Sequence, residues 1–122
     1  MTSAWNKYYV PQTVADALAI LERYDGQARV VGGGTDLLVE SRRGLRRPFE
    51  AIVDASRITG FGAIVEDAGY LVIGCGVTHT MLVNDDRIVR FGTCLSESCG
   101  VIGGPQVRNT GTLAGNVAHA LP

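Results

Sequence analysis

Two glycine clusters carry the residue types that could do chemistry in this chain. The first runs Arg29-Val30-Val31-Gly32-Gly33-Gly34-Thr35-Asp36-Leu37-Leu38. A short β-branched run meets three glycines, then a Thr–Asp pair and apolar residues. That order reads as a buried strand, a tight turn and the start of a helix. Glycine reaches backbone angles that other residues avoid and admits close approach to the chain. Thr35 or Asp36 could cap the helix. Free amides at a helix N-terminus, with the helix dipole behind them, form a site for an anion such as phosphate. The stretch has neither the Lys-Ser/Thr ending of a P-loop nor the Gly-x-Gly-x-x-Gly spacing of a dinucleotide fingerprint. Taken alone, a plain turn accounts for it equally well.

The second cluster closes the chain: Ile102-Gly103-Gly104-Pro105-Gln106-Val107-Arg108-Asn109-Thr110-Gly111-Thr112-Leu113-Ala114-Gly115-Asn116. It combines glycines with hydrogen-bonding side chains and one cation. Small residues at Ala114 and Gly115 allow backbone approach, and Thr112 and Asn116 can bond a ligand at their edges. Two separate glycine turns are what one pyrophosphate held from two sides requires.

Other chemistries are poorly supplied. There is no Gly-x-Ser-x-Gly elbow, and neither His79 nor His119 has a nucleophile in its local sequence. His79 reads as a capping or packing residue. Cys75, Cys94 and Cys99 have no Cys-x-x-Cys or cluster-like spacing, so they are expected as buried free thiols. No catalytic residue and no metal ligand is named. The run Arg42, Arg43, Arg46 and Arg47 reads as a solvated basic loop, with a docking patch or phosphate clamp as the lesser reading.

The elements that must position these turns are legible in outline. Lys7-Tyr8-Tyr9-Val10 is a short strand stopped by Pro11. Thr13 and Asp16 resemble a capping box. Val14, Ala17, Leu18, Leu21 and Tyr24 recur at helical spacing up to Gly26, giving a helix over 13–25. With a strand over 28–32 this makes a parallel βαβ unit, the first glycine turn lying at the carboxyl end of its second strand. A short helix from Thr35 to about Ser41 and a buried strand, Ala51-Ile52-Val53-Asp54, follow. Residues 63–66 and 70–74 form an antiparallel hairpin about Asp67-Ala68-Gly69, its second strand extended by Cys75-Gly76-Val77. A short helix over 78–83 and another over 86–101 complete the pattern.

At 122 residues the chain is at most one ordinary domain with a real core. A 46% hydrophobic and 19% charged composition is globular. A net charge of -1 gives no electrostatic footprint for nucleic acid or anionic lipid. No apolar run approaches membrane-spanning length, and the N-terminus has no signal-peptide core. A cytoplasmic protein is expected, with no membrane insertion.

The two glycine motifs, Val31 to Leu38 and Gly103 to Asn116, resemble the two FAD-binding signatures of the molybdenum hydroxylases, the xanthine dehydrogenase and carbon monoxide dehydrogenase type. Ile52-Val53-Asp54-Ala55-Ser56-Arg57-Ile58 and Ile73-Gly74-Cys75-Gly76-Val77-Thr78-His79 agree with it in the same order. The resemblance implies an α+β, FAD-binding fold of the p-cresol methylhydroxylase type. An N-terminal βαβ subdomain over 1–55 would precede the first part of a second α+β subdomain over 56–122, with FAD between them. Val30, Val31, Gly32, Gly33, Gly34, Thr35, Asp36 and Leu37 would wrap the pyrophosphate. Thr112, Leu113, Ala114, Gly115 and Asn116 would supply the second loop, and Ile102 would pack near the flavin end.

The resemblance further implies an electron-transfer subunit. Its flavin would take electrons from 2Fe-2S clusters on a small partner subunit and pass them to NAD, oxygen or another acceptor. Substrate hydroxylation would occur at the molybdopterin centre of a large partner subunit. Two departures stand out. Ala114-Gly115 replaces the family's paired glycines, and the chain stops at Pro122, where the family continues. Leu121 stands where the family often has a small polar residue. The chain therefore reads as about the first half of a flavin subunit, C-terminally truncated, expected to hold FAD weakly or not at all by itself. Two alternatives remain: a non-catalytic nucleotide-binding or assembly module, and a stand-alone flavin oxidoreductase of the same fold.

Overall fold

The computed structural model describes residues 5–120; the expectation at Leu121 lies outside them. Strand β1 (Lys7–Tyr9) leads to helix α1 (Val14–Tyr24), strand β2 (Ala28–Val31), helix α2 (Thr35–Arg42) and strand β3 (Ala51–Asp54). These build a three-stranded parallel sheet in the order β1-β3-β2. The expected βαβ unit is therefore split: β3 lies between its two strands, Ile52 facing Tyr8 on one side and Arg29 on the other.

The reason lies in burial. Ala51, Ile52 and Val53 are all buried, so β3 suits the centre, covered on both faces. Ala51 and Val53 join Ala17 of α1 in one core, while Ile52 joins Leu37 of α2 and Phe49 in another. The polar edges of this sheet are tied as well. The Tyr8 hydroxyl donates to Asp54 Oδ2 at 2.6 Å, and that bond pushes the phenol up to about 12.

Helix α1 begins as its sequence predicts, Thr13 Oγ1 accepting from the Asp16 amide. Asp16 in turn accepts from the Thr13 hydroxyl at 2.7 Å. The helix stops at Asp25, in the left-handed region at φ 41°, one residue before Gly26. Its buried stripe differs from the expected one. Ala17, Ile20, Leu21 and Tyr24 face the core, whereas Val14 and Leu18 are about half exposed. The i, i+3, i+4, i+7 set thus starts at Ala17, which brings Ile20 inward.

Strands β4 (Ile64–Asp67) and β5 (Tyr70–Ile73) pair antiparallel about Ala68 and Gly69, both at positive φ, as a two-residue hairpin turn requires. The predicted extension of β5 through Val77 does not form. The Gly74 and Gly76 amides instead bond Ala63 and Phe61 carbonyls and turn the chain away. A side chain at Gly74 would overlap the Phe61 carbonyl.

The predicted helix over 86–101 is two helices, α4 (Asp86–Phe91) and α5 (Thr93–Gly100), after α3 (His79–Asn84). Gly92 breaks it, its backbone leaving the helical region at φ -131°. Asp85 caps α4, and its bond with Arg87 lowers the carboxyl to about 2. Val77, Leu82, Ile88 and Cys99 form the core of this half, closed by the inner side chains of the hairpin. Two short helices, α6 (Pro105–Arg108) and α7 (Leu113–His119), shape the final stretch. Of the three free cysteines only Cys99 is buried; Cys75 and Cys94 are exposed, on a loop and on the first turn of α5.

Candidate functional site

The two glycine clusters meet. Gly33 is packed so tightly against the second cluster that a Cβ there would overlap the Thr110 carbonyl. A Cβ on Gly32 would lie 2.9 Å from Thr112 Oγ1. Both glycines are thus required by loop-to-loop contact. Gly34 is required differently: it caps α2 at φ 70°, where a side chain is strained.

The second loop is pinned from behind by α3. The His79 amide donates to Gly111 O at 3.1 Å, and the Leu113 amide to Val77 O at 3.0 Å. Thr112 faces Thr78 across an isolated bridge. It also caps α7, its Oγ1 accepting from the Gly115 amide at 3.1 Å. Thr112 is 7% exposed, so this hydroxyl both ends the loop and supports Gly32.

Between the loops lies a groove of about 260 Å³. Its first wall is the stretch from Val30 to Leu37; Ile102, Thr112, Gly115 and Asn116 contribute to the second. Leu113 turns instead into the core around Val77, and Ala114 is half buried in the first turn of α7, outside the lining. The extra methyl at Ala114 is thus not on the groove surface.

Sequence reasoning assigned no site role to Arg29, His79 and His119, and a phosphate clamp at Arg46 only as the lesser reading; all four line the groove. The two arginines sit on segments read as strand and loop. Only tertiary packing brings the others in. His79 is 2% exposed, its Nδ1 3.4 Å from Cys99 Sγ and its ring edge beneath Gly111. Burial lowers the imidazole's pKa and raises the Cys99 thiol's, so both are neutral near pH 7. Near pH 7 the pair supports the loop as a packing group.

The groove suits an anionic, elongated ligand. Helix α2 starts without a side-chain cap, so the first-turn residues Thr35, Asp36 and Leu37, all of which line the groove, have no capping side chain for their amides. Arg29 and Arg46 add positive charge, against the single lining carboxylate of Asp36. Val30, Val31, Leu37, Ile102 and Val107 give it an apolar side that a ring system could cover. Among the described residues no three His, Cys, Asp or Glu gather as metal ligands, and no helix is long and apolar enough to cross a membrane. The uncapped α2 terminus and the glycine-lined walls offer backbone donors to an anionic group.

Comparison with known proteins gives the same direction. The sequence profile of the FAD binding domain in molybdopterin dehydrogenase matches residues 3–122. The chain is 31% identical over 116 residues to the carbon monoxide dehydrogenase medium chain of Hydrogenophaga pseudoflava, covering 95% of this chain and 40% of that one. It is 33% identical over 113 residues to the xanthine dehydrogenase FAD-binding subunit of Escherichia coli O157:H7, covering 92% and 38%. In structure it superposes on carbon monoxide dehydrogenase from Hydrogenophaga pseudoflava with a TM-score of 0.88 at 30% identity, covering 93% of this chain and 39% of that one. The chain spans about two fifths of the length of these relatives.

Proposed function

The chain belongs to the family of FAD-binding domains in molybdopterin dehydrogenases, and from that membership we propose that its groove holds FAD as part of an electron-transferring oxidoreductase. The observation that carries the proposal is the packing of Gly32 and Gly33 against Thr110 and Thr112, which places both glycine loops on one groove. Amides of the first turn of α2 and the Thr35 hydroxyl would bond the pyrophosphate. Gly115 and Asn116 would approach it from the other side, and Ile102 would pack against the flavin end. FAD supplies the electron chemistry when bound; the chain supplies position and electrostatics. No residue of the groove has to act as a general acid or base.

The same proposal includes two subdomains, over 1–55 and 56–122. The separate cores around Val53 and around Leu82 support this, with Ile58 and Phe61 reaching back to the first. By analogy with the named relatives, the whole protein would be a cytoplasmic flavin subunit. It would work beside a large molybdenum-binding subunit and a small 2Fe-2S subunit, with NAD, oxygen or another acceptor taking the electrons.

The test is equilibrium titration of FAD with the purified chain, followed by flavin fluorescence and absorbance. Weak but saturable binding that is lost in Gly33→Val is the expected result. A folded chain that leaves flavin fluorescence unchanged at every concentration would overturn the groove of this chain as an FAD site by itself and leave the family membership standing.

A further inference from the structure

Arg46 stands apart from the other cation of the groove. Arg29 is already engaged: its Nη1 donates to the Gly26 and Ala28 carbonyls at 2.8 and 2.9 Å, and its guanidinium lies 5.8 Å from the centre of the Phe49 ring. Arg46 uses only Nε, which donates to Glu40 Oε2. Among the described residues its two Nη groups have no protein partner, although the side chain lines the groove.

Glu40 also faces the second wall. Its other oxygen, Oε1, lies 3.4 Å from His119 Nε2, a buried nitrogen not aligned for a hydrogen bond. The carboxylate therefore sits between the loop after α2 and the last turn of α7, and its bond to Nε orients the guanidinium beside both. A guanidinium with one edge bound to a carboxylate and the other open presents paired donors in a fixed fork. That geometry matches phosphate oxygens. The acidic group that opposes it in the groove lining is Asp36, which is exposed.

We propose that Arg46 is a phosphate-recognising residue of this groove, positioned by Glu40, and that it makes the site favour phosphorylated flavin over phosphate-free flavin. The proposal rests on the flavin reading above and assigns a specificity role within it.

The experiment is calorimetric titration of the full chain and its Arg46→Gln and Arg46→Lys variants with FAD, ADP and riboflavin, each variant's thermal unfolding recorded beside the parent. Arg46→Gln is expected to weaken FAD and ADP by about tenfold or more, the scale of a charge-assisted hydrogen bond, and to leave riboflavin unchanged. Arg46→Lys keeps the charge without the fork and is expected to fall between. Unchanged FAD and ADP affinity in Arg46→Gln overturns the proposal, as does an equal loss for riboflavin. Glu40→Ala tests the positioning role. Weaker FAD binding, despite removal of a carboxylate near the anion, supports it; tighter binding makes Glu40 a competitor and overturns it. A parent chain that binds ADP but not FAD refutes the flavin reading and with it the selectivity for flavin phosphates. A parent that binds neither refutes both.

Discussion

Gly33 and Thr110 are in backbone contact so close that no side chain fits between them. The tripeptide Gly32–Gly34 and the turn before α7 are therefore two halves of one structure. Gly33→Val is expected to cost about 3 kcal/mol or more, because a backbone carbonyl cannot yield as a side chain can. FAD affinity should fall at least about tenfold, equivalent to 1.4 kcal/mol. Urea unfolding and flavin titration of the variant measure the two effects separately.

Gly34 and Gly44 share a left-handed backbone, at φ 70° and 68°, but not their surroundings. A Cβ at Gly34 would lie 3.2 Å from Val31 Cγ2, whereas at Gly44 nothing is within 4 Å. Alanine at Gly44 should cost only the conformational strain, about 1–2 kcal/mol. Alanine at Gly34 should cost that and the displacement of Val31. Equal losses in thermal unfolding would show that Val31 moves aside freely.

Thr112→Ala removes the cap of α7 and the hydroxyl that stands against Gly32. A loss of about 1 kcal/mol is expected for the cap. Thr112→Ser should restore most of it, since the accepting oxygen returns. Failure of serine to rescue would shift the role from the hydroxyl to the methyl group, which also faces Gly32.

His79 gives the fold a pH dependence of known sign. Burial lowers its pKa below the ordinary 6.5, so the unfolded chain takes up a proton that the folded chain refuses. This contribution to stability is complete above about pH 6.5 and declines as pH falls through the window down to the folded value. Urea midpoints measured from about pH 8 to 5 should fall in the parent. They should fall less in His79→Gln, which has no titrating ring. Parallel pH profiles would assign the loss to other groups.

How much of this was readable in advance depended on the range of the interaction. Thr13, Gly26 and Ala68-Gly69 act within a few residues, and their cap, stop and hairpin turn were legible. The two turns that lead into α2 and α7 were legible too, because glycine runs beside Thr–Asp and Thr-x-x-Gly signal helix starts. The position of β3 between β1 and β2 was not, since adjacency in sequence suggests a simpler pairing than the burial of Ala51, Ile52 and Val53 allows. His119 was missed as a groove residue, and Arg46 was read first as a solvated loop cation, for a related reason. Only the meeting of α2 with α7 through Glu40 gives them a common place. Gly92 shows the converse, a residue that lowered the regularity of the 86–101 pattern and in fact ends one helix and starts another.

The order β1-β3-β2 also dictates a sequence of events. As the chain leaves the ribosome, its first two strands emerge without the strand that joins them, and the glycine turn after β2 has no wall to lean on. The sheet can close only once residues 51–54 are out, and the turn finds Thr110 only after some seventy-five further residues have emerged, about the separation the sequence sets. Contacts between such distant segments are late and slow to form. A ligand that needs both walls is therefore captured only after the two distant segments have met.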